Sequence, residues 1–408
     1  MKKTSGHILG GSLMVAGVTI GVGMLAMPLV TYQGGFFPAL ALYLICWFFM
    51  LCTGLLLLEA CLWMPRGANM ITMARTLLGP IGQAVCWITY LFLFLLIMIS
   101  LISGGGGLIA EILDQIPPAW VSIFIFVIIF APFVYLGTLS VDHANSALMI
   151  GLFLSYLIFV LFLINFVNFE LLKRVDWLKS FIAIPILFVA FAYQSIIPTL
   201  VTYMDRNVKK IRLSIFIGTG IAFIVYVFFE FTILGAIPAE GPNSLMQAAA
   251  SGQISIFPLK AFAGYSHFLS SVQNNYLFLF AKIFAFFAIT TSFITVSLAY
   301  RDFLADGLKW EKTPKKKLWL CCLIFSPPTV ISMIFPNLFL KAASYAGGYF
   351  CAILFGLFPI LMVWAGRHIH HYPDETKQLF GGKYFLSVLI LFVIFEIAIH
   401  ATTEFLGG

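Results

Sequence analysis

Apolar runs long enough to cross a membrane follow one another along almost the whole 408-residue chain. A helix needs about 20 mainly apolar residues to span the hydrocarbon core of a bilayer. Only helices and closed barrels satisfy all their backbone hydrogen-bonding groups there. The composition agrees, because 62% of the residues are hydrophobic and 10% are charged. The sequence therefore predicts an all-α integral membrane protein that forms one transmembrane domain over residues 1–408.

The apolar runs predict eleven membrane-spanning helices, which we call spans 1 to 11. We expect them at residues 8–31, 36–62, 80–113, 119–137, 144–167, 180–203, 211–236, 276–299, 318–336, 342–364 and 384–404. The long connection between spans 7 and 8 is expected to contain a short helix at 244–250. Residues 254–263 of the same connection are expected to lie along the membrane surface.

Basic residues are distributed unevenly between the two sides of the predicted membrane. Of the 23 Lys and Arg residues, 17 fall in segments on the same side as the N-terminus. Such an excess marks the cytoplasmic side of membrane proteins. We therefore expect a cytoplasmic N-terminus and, after eleven crossings, a C-terminus outside. These loops account for the net charge of +7, which gives no reason to expect nucleic-acid binding.

Span 1 is interrupted by glycines where a membrane helix would favour large apolar residues. Residues 17–28 read GVTIGVGMLAMP. Glycine tolerates unwound backbone, which leaves N–H and C=O groups without helical partners. In hydrocarbon, irregular backbone persists only where protein or a polar cavity satisfies those groups. We interpret span 1 as a broken helix that lines a substrate site.

Span 6 carries a matching interruption. The polar triplet Tyr193-Gln194-Ser195 lies near its middle, and Pro198 removes a backbone donor just beyond it. Transporters built from inverted repeats have interrupted helices at corresponding positions of both halves. Residues 8–167 and 180–364 would then form the two halves, with span 11 appended. Either break alone could equally be a packing kink, but the matched pair favours a site.

Two breaks that face each other would present free amide groups from one half-helix end and free carbonyls from another. Amide N–H groups attract a carboxylate, and carbonyls attract an ammonium group or a metal cation. An α-amino acid carries both an ammonium and a carboxylate. It is therefore the ligand that the two breaks favour.

Several motifs occur in order along the chain. They are the glycine motif at 17–28, LLLLE at 55–59, IPTLV at 197–201, TSF at 291–293, FLAD at 303–306, FP at 335–336 and SYAG at 344–347. Together they resemble the hydroxy/aromatic amino acid permeases, which are the bacterial tyrosine and tryptophan permeases of the amino acid–polyamine–cation superfamily. The sequence departs from the family at Gln194, where a histidine after an aromatic residue is expected.

The resemblance implies a leucine-transporter-type fold, which is a five-plus-five inverted repeat with broken helices 1 and 6, here with eleven transmembrane helices. It also implies import of tyrosine, tryptophan or phenylalanine by proton symport across the bacterial inner membrane. A sodium-coupled symporter of hydrophobic or neutral amino acids is the alternative.

By the same resemblance, nine residues at the two breaks would bind the substrate. They are Thr19, Ile20, Gly21, Val22, Gly23, Met24, Tyr193, Gln194 and Ser195. The amides at residues 21–23 would hold the carboxylate, and the carbonyls of residues 19–20 and near 193 would hold the ammonium. The side chains at 24 and 193–195 would shape the pocket for the substrate side chain. The Gln194 amide could hydrogen-bond a phenol or an indole N–H.

Four further residues are candidates for coupling transport to an ion gradient. Hydroxyls of Thr290 and Thr291 in span 8 could join span 1 carbonyls around a sodium ion, or could bond their own helix. Charged residues inside a bilayer are costly and therefore functional candidates. Glu59 in span 2 would brace the broken ends of spans 1 and 6 or extend to the membrane surface. Lys282 in span 8 would reach the outer surface or relay protons.

Three more ionisable residues lie within predicted spans. Glu230 is deep enough in span 7 to need a partner, which the sequence does not identify. Glu396 and His400 are four residues apart in span 11, share a helix face and are expected to pair.

Other classes of protein find less support. The sequence has no HExxH, GxSxG or P-loop motif, and its seven cysteines lie in apolar runs without metal-type spacing. We therefore expect neither an enzyme nor a cofactor, with a proton or sodium gradient as the energy source. A channel would need a continuous polar pore. The expected partners are the amino acid and the lipid bilayer, with the chain as a monomer or homodimer.

Overall fold

The computed structural model describes residues 7–113, 116–136, 138–241, 244–251, 271–310 and 313–407. All regular structure in these ranges is helical. Within these ranges ten helices are long and apolar enough to cross a membrane, and the number is eleven when the bent pair Ile8–Thr19 and Gly23–Thr31 is counted as one span. The prediction of an all-α membrane protein with eleven spans is confirmed.

Each of eight spans is a single α-helix. They are Phe36–Trp63 (span 2), Met70–Ile112 (span 3), Ala119–Leu136 (span 4), Thr138–Leu163 (span 5), Val208–Ala236 (span 7), Ser271–Gly307 (span 8), Pro314–Ile334 (span 9) and Gly382–Gly407 (span 11). Span 10 combines three consecutive pieces, Phe339–Tyr345, a π-helix Ala346–Leu357 and Phe358–His368.

The short helix expected between spans 7 and 8 is present as Leu245–Ser251. Residues 254–263, predicted to lie along the membrane surface, fall outside the described ranges.

Span 3 begins ten residues earlier than the predicted start at residue 80. The Asn69 side chain accepts a hydrogen bond of 2.9 Å from the Thr72 amide and so starts a helix there. Gly79 has φ +78°, and this left-handed conformation kinks the chain before Pro80. The sequence prediction missed residues 70–78 because they include Arg75 and are less apolar than the span that follows.

Spans 3, 4, 8 and 9 pack on one another and form one group of helices. Close approach between them depends on small residues. A Cβ added at Gly105 would lie 2.4 Å from the Phe126 ring, and one at Gly106 would lie 2.3 Å from Ile123. The Phe293 ring of span 8 packs 4.9 Å from the Phe126 ring. This tightly packed group provides a rigid wall for the breaks.

Spans 1, 2, 6 and 7 form a second group, and span 10 packs against spans 2, 3, 6 and 11. Span 7 lies along the first half of span 1, where a Cβ at Gly218 would come within 2.6 Å of the Ser12 carbonyl oxygen. A Cβ at Gly347 in span 10 would lie 1.8 Å from the Pro185 carbonyl oxygen in span 6. The two interrupted helices are therefore held between spans 7, 8 and 10.

Candidate substrate site at the two broken helices

Span 1 breaks at the predicted position. Its first half ends at Thr19, Ile20 and Gly21 are extended, and the second half runs on at an angle of 46°. The Thr19 hydroxyl donates to the Val15 carbonyl at 2.8 Å, so this side chain is bonded within its own helix. The Ile20 amide still donates to the Ala16 carbonyl at 2.7 Å, and the Gly21 carbonyl accepts from the Met24 amide at 3.1 Å, so the helical hydrogen bonds are interrupted between these two residues.

Span 6 is interrupted at the expected triplet. Its first half, Ile184–Ala190, is followed by a short non-helical stretch. The 3-10 turn Gln194–Ile196 and the helix Ile197–Tyr203 then resume the span. Pro198 lies in the first turn of that second half, where its missing N–H would have no helical acceptor.

The two breaks contact each other directly. A Cβ added at Gly23 would lie 2.8 Å from Ala190 Cα, so only glycine allows this approach. Tyr226 of span 7 places its hydroxyl 2.6 Å from the Thr19 carbonyl oxygen and 2.9 Å from the Ala190 carbonyl oxygen. One hydroxyl hydrogen therefore serves the C-terminal ends of both first halves. Sequence reasoning missed Tyr226, since nothing local to span 7 indicates which backbone it meets.

Span 8 forms another wall beside the glycine turn. A Cβ at Gly21 would come within 2.9 Å of Ser292 Oγ. The Thr291 hydroxyl instead donates to the Phe287 carbonyl of its own helix at 2.8 Å. Thr290 is fully buried, and its hydroxyl has no hydrogen-bond partner among the described residues. Thr290 precedes Phe293 by one turn and so faces the group of spans 3 and 4. Ser292 is thus the span 8 hydroxyl beside the break, and the coupling role of Thr290 and Thr291 stays a prediction.

The side chains of the span 6 triplet point in different directions. Gln194 donates to Thr53 Oγ1 at 3.0 Å and to the Met50 carbonyl at 3.3 Å, and its own carbonyl accepts from the Tyr193 amide. The Tyr193 hydroxyl donates to the same Met50 carbonyl at 3.3 Å. Tyr193 and Gln194 are fully buried, whereas Ser195 is exposed. Tyr193 and Gln194 therefore attach the span 6 break to span 2 through hydrogen bonds. Contact of the three residues with substrate stays a prediction.

Glu59 does not brace spans 1 and 6, and that interpretation is wrong. Its carboxylate is fully buried and forms two hydrogen bonds of 2.7 Å with the Arg367 guanidinium of span 10. The backbone N–H of Gln378 donates a third hydrogen bond at 2.9 Å. Burial also rules out extension to the surface. Arg206, which follows span 6, donates to the Met64 carbonyl and so attaches the end of span 6 to the end of span 2.

The structure also shows the surroundings of the remaining ionisable residues. Lys282 is half-buried and its ammonium lies 3.5 Å from the Glu111 carbonyl oxygen, and a coupling role for Lys282 stays a prediction. Glu230, which had no identified partner, accepts hydrogen bonds from span 1 and span 2. Glu396 and His400 were expected to pair, but in the described part neither Glu396 oxygen nor His400 Nε2 has a hydrogen-bond partner. That expectation is wrong.

An all-helical chain with two interrupted helices meeting at its centre has the leucine-transporter-type fold. Two solved structures share it. MhsT, solved in complex with L-phenylalanine, has a TM-score of 0.65 at 14% identity and covers 97% of this chain and 98% of its own. A mutant of the Eremococcus coleocola manganese transporter has a TM-score of 0.67 at 12% identity, with 97% and 85% coverage. The chain thus shares the fold of these two proteins over nearly its whole length.

The tryptophan/tyrosine permease family model matches residues 4–400, and the chain belongs to that family. A tryptophan-specific transport protein of Haemophilus influenzae is 29% identical over 97% of this chain and 96% of the relative. Tyrosine-specific transport system 1 of the same organism is 29% identical, with 97% and 95% coverage. A tryptophan-specific transport protein of Pseudomonas aeruginosa is 26% identical, with 96% and 94% coverage. The family resemblance is confirmed, and the chain is a permease and not an enzyme.

Proposed function

We propose that the protein imports tyrosine, tryptophan or phenylalanine together with a proton across the bacterial inner membrane. Membership of a tryptophan/tyrosine permease family supports an aromatic amino acid as substrate. The observation that carries the proposal within the site is the meeting of the Thr19 and Ala190 carbonyls at one hydroxyl of Tyr226.

These two carbonyls suit the substrate ammonium. Tyr226 has a single hydroxyl hydrogen, so it leaves one of the two carbonyl oxygens without a full partner at any moment. An ammonium group has three N–H donors and could satisfy both. Buried polar groups without partners are costly, and binding of an ammonium here would relieve that cost.

The carboxylate would be held at the glycine turn of span 1. The backbone amides of Gly21, Val22 and Gly23 open the second half of span 1, and the first amides of a helix have no intrahelical acceptor. Met24, the next residue, is buried. An α-amino acid would thus span the break with its two charged groups, while its aromatic side chain extends towards span 6.

The proposed topology places the N-terminus in the cytoplasm and the C-terminus outside. Its support is the distribution of Lys and Arg, with 17 of 23 on the N-terminal side. Sodium coupling is the second candidate. The observation in its favour is the Ser292 hydroxyl next to Gly21, because hydroxyl and carbonyl oxygens are the ligands that a hard cation prefers.

The experiment uses purified protein in liposomes with radiolabelled tyrosine, tryptophan and phenylalanine. Accumulation should follow an imposed pH gradient, alkaline inside, and should not require sodium. Accumulation that follows a sodium gradient alone would favour the second candidate. Uptake that responds to neither gradient would refute symport. If none of the three amino acids is taken up, the proposed substrate class is refuted.

A further inference from the structure

Glu230 in span 7 is a carboxyl group inside the membrane with partners in two other spans. Its side chain is 1% exposed. One oxygen is hydrogen-bonded to the Thr31 hydroxyl at the end of span 1, and the other accepts from the Tyr43 hydroxyl of span 2 at 2.7 Å. No ion pair between described residues includes Glu230. An ionised carboxylate held only by hydroxyls within a bilayer is costly, which marks this residue as a functional candidate.

The hydrogen bonds of Thr31 depend on whether Glu230 carries a proton. The Thr31 hydroxyl lies within hydrogen-bond distance of two acceptors, the Glu230 carboxyl and, at 2.9 Å, the Met27 carbonyl of its own helix. A hydroxyl has one hydrogen, so it donates to one of them at a time. If Glu230 is protonated, its O–H donates to Thr31 Oγ1, and Thr31 donates to Met27. If Glu230 is ionised, Thr31 must turn its hydrogen to the carboxylate.

The same face of span 7 also holds the substrate site. Tyr226 lies four residues before Glu230, and residues at this spacing are neighbours on a helix surface. The Phe191 ring next to the span 6 break packs 5.2 Å from the Tyr226 ring and 6.1 Å from the Tyr43 ring. Tyr43 is thus shared between the carboxyl group and the aromatic residues around the break.

Few other titratable groups face Glu230. Span 2 contributes Tyr43, and span 7 contributes Tyr226 beyond it. Span 1 contributes Thr31, which does not titrate. Farther along, near Tyr32, Arg174 and Glu240 neutralise each other in an ion pair of 2.7 Å. Among the described residues, Glu230 is therefore the group of this network that can exchange a proton at ordinary pH.

We propose that Glu230 carries the coupling proton, and this inference rests on the proton symport proposed above. A proton from the outer solution forms the O–H bond of the carboxylic acid, which leaves Thr31 free to bond Met27 within the second half of span 1. Release of that proton to the cytoplasm restores the carboxylate and draws the Thr31 hydrogen away from Met27. The proton thus changes how the second half of span 1 is held against span 7.

The test replaces Glu230 by glutamine, which keeps a donor for Thr31 and an acceptor for Tyr43 but cannot ionise. One pH unit corresponds to about tenfold accumulation for a one-proton symporter. We expect Glu230→Gln to lose this pH-driven accumulation while exchange of labelled for unlabelled substrate across the membrane continues. The matched control is Glu396→Gln, which neutralises another fully buried carboxyl group, in span 11, and should keep wild-type accumulation.

The outcomes separate the two proposals. If wild-type protein does not respond to a pH gradient, proton symport itself fails. If wild type responds and Glu230→Gln accumulates substrate as well as wild type, Glu230 is not the coupling residue. Loss in both glutamine variants would also overturn the assignment. If Glu230→Gln does not fold, Thr31→Val is tested in its place. A pH-indicator dye then measures the proton uptake that substrate induces, and uptake equal to that of wild type would overturn the proposal.

Discussion

The contact between Gly23 and Ala190 allows a sharp test of the site. A Cβ added at Gly23 would meet Ala190 Cα at 2.8 Å, Cβ at 3.0 Å and the amide nitrogen at 3.2 Å. Carbon atoms in contact normally lie about 3.5–4.0 Å apart, so Gly23→Ala must separate the two broken helices by roughly 0.7 Å or more. Two of these atoms are backbone and the third is the Ala190 Cβ, so none of them can rotate away.

Overpacking of this kind costs about 1–3 kcal/mol. If the strain acts on the substrate-binding arrangement, affinity should fall by about fivefold to somewhat over a hundredfold, since 1.4 kcal/mol is a factor of ten. Equilibrium binding of labelled tryptophan or tyrosine to purified protein measures this directly. Thermal unfolding in the same detergent shows how much the substitution lowers the stability of the whole protein.

Gly220→Ala is the matched control in span 7. A Cβ there has no atom within 4 Å, and alanine is favoured over glycine in a helix by about 1 kcal/mol. We expect this variant to bind substrate as wild type does and to be at least as stable. Wild-type affinity in Gly23→Ala would refute the reasoning that these breaks together form the binding site.

Three other predictions concern side chains around the site. Tyr226→Phe leaves two carbonyls for an ammonium to satisfy, so substrate should raise the melting temperature more than in wild type; an equal or smaller rise counts against this. Glu59→Gln or Arg367→Gln breaks a buried pair and should destabilise the protein by about 3–5 kcal/mol in unfolding measurements. The double variant should recover part of that loss, and full additivity would show that the pair is not coupled. Gln194→His should change the ratio of tyrosine to tryptophan uptake. An unchanged ratio would indicate that Gln194 only attaches span 6 to span 2 and does not contact the substrate.

The positions of the breaks could be predicted because their causes are local. Glycines at 21 and 23 and Pro198 determine the backbone around themselves, whatever the rest of the chain does. The membrane spans could also be predicted, because hydropathy over about 20 residues depends only on neighbouring sequence. Residues 70–78 were missed because hydropathy detects crossings and overlooks a more polar helix that precedes one.

The partners of the charged groups could not be predicted, because they are distant in sequence. Glu59 meets Arg367 across 308 positions, and Glu230 meets Thr31 across 199. Periodicity shows which residues share a face, yet it does not show which other helix that face contacts. The prediction that Glu396 pairs with His400 failed for a different reason, since proximity on one helix does not decide where each side chain turns.

The attachment of Gln194 to span 2 constrains how the substrate range of such a permease can change. Gln194 holds the span 6 break to Met50 and Thr53 of span 2. A substitution at this position alters how firmly the break is held. If Gln194 contacts the substrate as predicted, its replacement changes substrate preference and the attachment of span 6 together, and residues 50–53 of span 2 would have to compensate.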